Sequence, residues 1–166
     1  MRVIVLFCGL MGAVSLAQFP DFSQAYVDRL QARVAELNDQ AAAFDTAAAA
    51  AGLSREGALR QLSGSPALED KQAAVRTVFD ERERLSADLA RLQGANPFQR
   101  LAMPRAFADE TLRAETYAAY RPTVPKTADG LILAGVGYVL ASTIAGTIFA
   151  ILRRTWPRRK DPRAAG

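Results

Sequence analysis

The densest group of ionisable side chains in the 166-residue chain is Asp80-Glu81-Arg82-Glu83-Arg84. Its carboxylates could take up a divalent cation, but the interleaved arginines repel a cation and compete for the same oxygens. A solvated helix face explains the run better, with Asp80 and Arg84 at the four-residue spacing that favours an ion pair. A hydroxyl nucleophile needs a base beside it. The chain has no His, which leaves a serine–lysine arrangement, and the central region supplies Lys71 and Lys126, neither inside a motif. Cys8 is the single thiol, so an intrachain disulfide and a site built on His or Cys ligands are both excluded. Gly135-Val136-Gly137 is no phosphate loop, because it lies inside an apolar stretch where glycine reads as packing. No catalytic residue, metal site or cofactor is expected, and the protein is expected not to be an enzyme.

The elements that carry these residues are set first by charge placement. The pI near 9.6 suggests nucleic acid, yet residues 20–129 hold 14 Lys and Arg against 16 Asp and Glu. The excess basicity sits at the two ends, at Arg2 and in the tail at Arg153, Arg154, Arg158, Arg159, Lys160 and Arg163. A phosphate-binding face needs clustered cations, and the central region has none, so nucleic acid is not an expected partner.

Between Gly130 and Leu152 there are 23 consecutive uncharged residues. At ~1.5 Å per residue they reach roughly 34 Å, enough for a ~30 Å hydrocarbon core. Thr127 or Asp129 can cap the start, Arg153 and Arg154 stop it, and Trp156 suits the interface beyond. This predicts a transmembrane helix over 130–152 and a basic cytoplasmic tail over 153–166. Arg153, Arg154, Arg158, Arg159 and Lys160 form the topology signal that places residues 20–129 across the membrane, in the periplasm of a Gram-negative bacterium. Neither apolar stretch carries a buried ionisable residue that would mark a transport pathway.

Residues 1–19 form either a membrane segment or a signal peptide cleaved after Ala17; the 17 uncharged residues Val3–Phe19 are short for a span. Retention is favoured by two small-residue ladders at four-residue spacing, Gly9, Ala13 and Ala17 in the first segment and Gly137, Ala141 and Ala145 in the second. Such ladders let membrane helices approach closely, so the two segments are expected to pack antiparallel.

The region between is read as all-α. Tyr26, Leu30, Val34, Leu37, Ala41, Phe44, Ala48 and Ala51 form one apolar stripe on a helix over about 21–51 that Gly52 ends. A small helix near Ser54–Leu62 follows. Ser65-Pro66 restarts the chain into a helix over 66–93 carrying Leu68, Val75, Val78, Phe79, Leu85, Leu89 and Leu92, its seam interrupted by Arg82. Two long helices of matched length predict a coiled-coil-like antiparallel hairpin. Asn96-Pro97 and Met103-Pro104 are expected to break the chain, and Asp109–Tyr120 to form a shorter helix. Tyr117, Tyr120 and Arg121 suit either head groups or the base of the hairpin.

Several phrases resemble a group of small bacterial inner-membrane proteins known only as a domain of unknown function. They are Gln18-Phe-Pro-Asp-Phe-Ser-Gln-Ala-Tyr26 with Arg29-Leu30, Phe44-Asp45, Gly52-Leu-Ser-Arg-Glu56, and Arg121-Pro-Thr-Val-Pro-Lys-Thr-Ala-Asp-Gly130. The resemblance implies two spans around a helical domain, with no activity or site residues to carry over. It also runs through the cleavage region, which favours retention. The expected function is that of a membrane-anchored interaction or structural protein of the cell envelope, contacting membrane lipid and either itself or another membrane protein. The alternative is a one-span lipid- or small-ligand-binding protein with a cavity near Phe98–Tyr120.

Overall fold

The computed structural model describes residues 2–121 and 127–155. Among them every regular element is a helix. They form two compact units: Asp21–Tyr120, and the segments that flank it in the chain.

The flanking unit is a helix pair, α1 (Arg2–Ala17) and α7 (Ala128–Thr155). Thr127 caps α7 by accepting the Gly130 N–H at 3.3 Å on its hydroxyl. By length and composition α7 and the N-terminal helical run are both apolar enough to cross a membrane. Their α-carbons approach within 8 Å, and no other two elements come as close so consistently. Small facing residues permit this, since at Gly12 and Gly137 the two backbones meet directly.

The central unit begins in α2 (Phe19–Ala50), one turn residue after α1. Pro20 lies in its first turn, where the missing N–H costs nothing. Gly52 closes the helix with φ +69°, a conformation that side chains with a Cβ rarely adopt. Next comes α3 (Arg55–Gln61), whose N-cap Ser54 accepts the Gly57 N–H at 3.1 Å. Gly64, at φ +96°, turns the chain into α4 (Pro66–Gln93).

The expected breaks at Asn96-Pro97 and Met103-Pro104 do separate helices, and each proline also starts the element that follows. Pro97 opens α5 (Pro97–Leu101) behind an Asn96–Gln99 capping box, and Pro104 opens a 3-10 turn, Pro104–Phe107. Proline cannot continue a helix, but its fixed φ suits a first turn. The unit ends in α6 (Glu110–Ala119), capped by the Asp109 carboxylate on the Leu112 N–H.

Tyr26, Val27, Leu30, Val34 and Leu37 of α2 pack with Leu85, Leu89 and Leu92 of α4, and Ala106 and Leu112 close the cluster. Leu30, Leu37, Leu85 and Leu92 are essentially inaccessible, each contributing roughly 2 kcal/mol of apolar burial. Towards the other end of α2 the seam thins to Ala41 and Ala48, with Phe44 edge-on to Phe79 at 5.9 Å. Ala51, the last residue of the predicted stripe, is exposed. Arg55 ties α3 down: it pairs with Asp45 and lies 4.2 Å from the centre of the Phe79 ring.

Candidate functional site

The α1–α7 contact is built from the smallest residues available. A Cβ added to Gly12 would stand 2.5 Å from the Ala141 methyl and 2.6 Å from the Gly137 carbonyl oxygen. One added to Gly137 would collide with the Gly12 carbonyl and lie 2.9 Å from a Leu16 methyl. Gly9 fits against Ser142 and Tyr138. Of the expected ladders, Gly9, Ala17 and Gly137 are buried, and Ala13, Ala141 and Ala145 are half-buried on the same faces. The residue that meets Gly137 is Gly12, which lies outside the four-residue ladder. A helix packs through two adjacent rows, so the face includes residues three apart as well as four. The Ser142 hydroxyl is enclosed at this crossing with no hydrogen-bond partner among the described residues.

Around this seam the polarity is inverted. Val3, Ile4, Leu6, Phe7, Leu10 and Met11 of α1 are more than half exposed, as are Leu131, Val139, Leu140, Ile144, Ile148 and Ile151 of α7. Glycine and alanine line most of the seam, joined by the buried Leu133 and the half-buried Leu16, while most of the large apolar side chains face out. In the central unit the order is the usual one, with leucines inside. Such a surface is costly in water and suits hydrocarbon, in keeping with two helices apolar enough to cross a membrane.

In the central unit the polar residues gather in a cleft of about 440 Å³ lined by Arg29, Arg33, Glu36, Glu81, Asp109 and Glu115, among others. Its charges answer one another. Arg33 reaches Glu36 at 2.9 Å and Glu81 at 3.1 Å, and Arg29 reaches Glu115 at 3.9 Å. The predicted solvated face at residues 80–84 is therefore only partly solvated. Glu81 takes Arg33, Arg82 donates to the Asn38 side chain at 2.8 Å, and Arg84 pairs with Asp109 at 3.0 Å rather than with Asp80. These partners come from distant sequence positions, which helical spacing alone does not reveal. Burial alone would raise the Asp109 carboxyl, but the Leu112 N–H and Arg84 outweigh it and hold its pKa below the ordinary value. Tyr26 is pushed up to about 12, first by burial and then by the charges of Asp109 and Asp88.

The model of the family described as "Protein of unknown function (DUF2937)" matches residues 1–158. The chain belongs to the DUF2937 family. No curated protein and no solved structure matches it.

For this DUF2937 chain the remaining sequence-marked residues fall as follows. Lys71 is exposed on α4, and Lys126 lies outside the described residues. Among the described residues no three His, Cys, Asp or Glu side chains group to hold a metal. Arg153 is exposed at the end of α7. Arg158, Arg159, Lys160 and Trp156 lie outside the described residues, as does the Arg154 side chain. A residue that the sequence pattern did not single out is Arg100. It is 8% exposed, donates from Nε to the Leu92 carbonyl and from Nη1 to Gln24 Oε1, each at 3.0 Å, and so closes the last turn of α4 against α2. Its position beside a helix C-terminus could have flagged it, since a cation there complements the helix dipole.

Proposed function

We propose that this DUF2937 protein is a two-span membrane protein of the bacterial inner membrane that works as an interaction or structural subunit of the cell envelope. The observation that carries the reading is the inverted polarity of the α1–α7 pair beside a conventionally packed central unit. In this reading the Arg153–Lys160 cluster marks the cytoplasmic side, and residues 21–120 stand in the periplasm as an antiparallel α2–α4 hairpin. The helical surface is offered to a second copy or to another membrane protein. The reading is non-catalytic, supported by the lack of His and by a polar cleft whose charges are already paired.

Retention of α1 is part of the proposal. Cleavage after Ala17 would strip α7 of the partner that covers Gly137, and the family match includes α1. The test is native mass spectrometry of the untagged protein extracted from its own membrane. An intact chain that carries a protein partner or a second copy supports the reading. A mass lighter by residues 1–17, or a bare monomer bearing small-molecule adducts, overturns it in favour of a one-span ligand-binding protein.

A further inference from the structure

One end of the central unit carries an aromatic cluster that neither its hydrophobic core nor the polar cleft uses. The Phe22 ring lies 4.5 Å from that of Tyr117 and 5.8 Å from that of Tyr120, the latter edge-on. Tyr117 nonetheless remains 63% exposed, while Leu112 and Thr116 of the same helix turn into the protein. One turn before Tyr117 on α6 is Arg113, half exposed, and Arg121 follows Tyr120, also exposed. A large ring held outward beside basic side chains is poorly placed for water and well placed for a layer that is apolar on one side and wet on the other.

Chain geometry supplies the second argument. Phe22 stands one turn along α2 from Phe19, and the charge-free N-terminal stretch ends at Pro20, just before Asp21. Three residues of α-helix rise ~4.5 Å. The head-group layer beyond a ~30 Å hydrocarbon core is roughly 5–7 Å deep on each side. A span that ends at Phe19 or Pro20 therefore leaves Phe22 no farther from its end than the depth of that layer, and the Tyr117 ring stays beside Phe22.

We propose that the Phe22–Tyr117–Tyr120 face docks into the lipid head-group layer of the bilayer that α1 and α7 cross. This rests on the two-span reading and adds a lipid contact made by the central unit itself. The acidic neighbours Asp21, Glu110 and Glu115 offset the two arginines, so the contact is aromatic rather than electrostatic and does not require anionic lipid.

The test uses the full chain in phosphatidylcholine vesicles whose lipids carry bromine either high on the acyl chain or near its end. Trp156 is the only tryptophan, so Trp156→Phe gives a silent background for Tyr117→Trp and, separately, for Leu140→Trp in the middle of the second span. The Tyr117→Trp emission is expected to fall about twofold with bromine near the head groups and to change little with deep bromine. Leu140→Trp is expected to show the reverse order. If Leu140→Trp is quenched by deep bromine while Tyr117→Trp ignores both lipids, the docking proposal is overturned and the second span stands. Quenching of Tyr117→Trp chiefly by deep bromine overturns it as well. If neither tryptophan responds, the two-span reading fails along with it.

Discussion

Gly135 and Gly137 are two residues apart on α7, yet a methyl group added to each meets opposite surroundings. At Gly135 a Cβ finds nothing within 4 Å, whereas at Gly137 it strikes the Gly12 backbone. Gly137→Ala must push the helices apart by roughly 0.5–1 Å, and a gap of that size forfeits a quarter to a half of the dispersion energy across the contact. Taking the crossing as comparable to one buried leucine side chain, about 50 atom pairs at ~0.1 kcal/mol each, the loss is about 1–2.5 kcal/mol. Gly135→Ala adds the same methyl and the same helix propensity without the collision, so it should be neutral or slightly stabilising. The separation can be followed by energy transfer between dyes on cysteines placed at the exposed Leu10 and Leu140, in a Cys8→Ser background, as SDS displaces mild detergent. Gly137→Ala should lower the SDS fraction at which transfer is lost, and Gly135→Ala should not. Equal shifts for both variants would refute the close-packing argument, because the two differ only in what the methyl meets.

At the same crossing, Ser142→Ala removes a hydroxyl that has no hydrogen-bond partner among the described residues and should leave the pair unchanged or slightly firmer in that SDS titration. In the central unit, Arg100→Met removes two hydrogen bonds, one of them to a helix C-terminus. It should cost about 1.5–3 kcal/mol in urea unfolding followed by circular dichroism; a gain in stability would mean that burying the charge costs more than its bonds return. Leu30→Ala, at a fully buried site, should cost about 3–5 kcal/mol in the same titration. Because folding raises the Tyr26 pKa to about 12, its contribution is intact below pH ~10 and is lost as pH rises through the folded value. Tyr26→Phe should flatten that part of the stability profile and remove a late-titrating phenol from the phenolate absorbance curve.

Much of the architecture is legible in the sequence because it depends on local chemistry. The bounds of α4 follow from Ser65-Pro66 and Gly94, Gly52 ends α2, and the alternating stripe from Tyr26 to Ala48 is the buried face. Pro97 and Pro104 are ambiguous in sequence, because proline both ends and begins helices; the Asn96–Gln99 spacing of a capping box marks the start at Pro97, and no such signal precedes Pro104. The partners of Arg84, Glu81 and Arg100 could not be read from spacing, since they lie on elements brought together only by folding. The small-residue faces were visible as ladders, but Gly12 needed the crossing geometry, because a four-residue count from Gly9 steps past it.

The two helices that pack most closely are also the farthest apart in the chain. About 110 residues separate the end of α1 from the start of α7, and at synthesis rates of ~5–20 residues per second α1 is complete some 6–20 s before its partner exists. During that interval Gly9, Gly12 and Ala17 are bare, and the whole of the central unit is made before they can be covered. A nascent α1 is thus open to any neighbouring helix with a glycine-lined face, including an α7 already finished on another copy. Crowded synthesis would then favour exchanged pairs, and slowed or dilute synthesis would favour pairs closed within one chain.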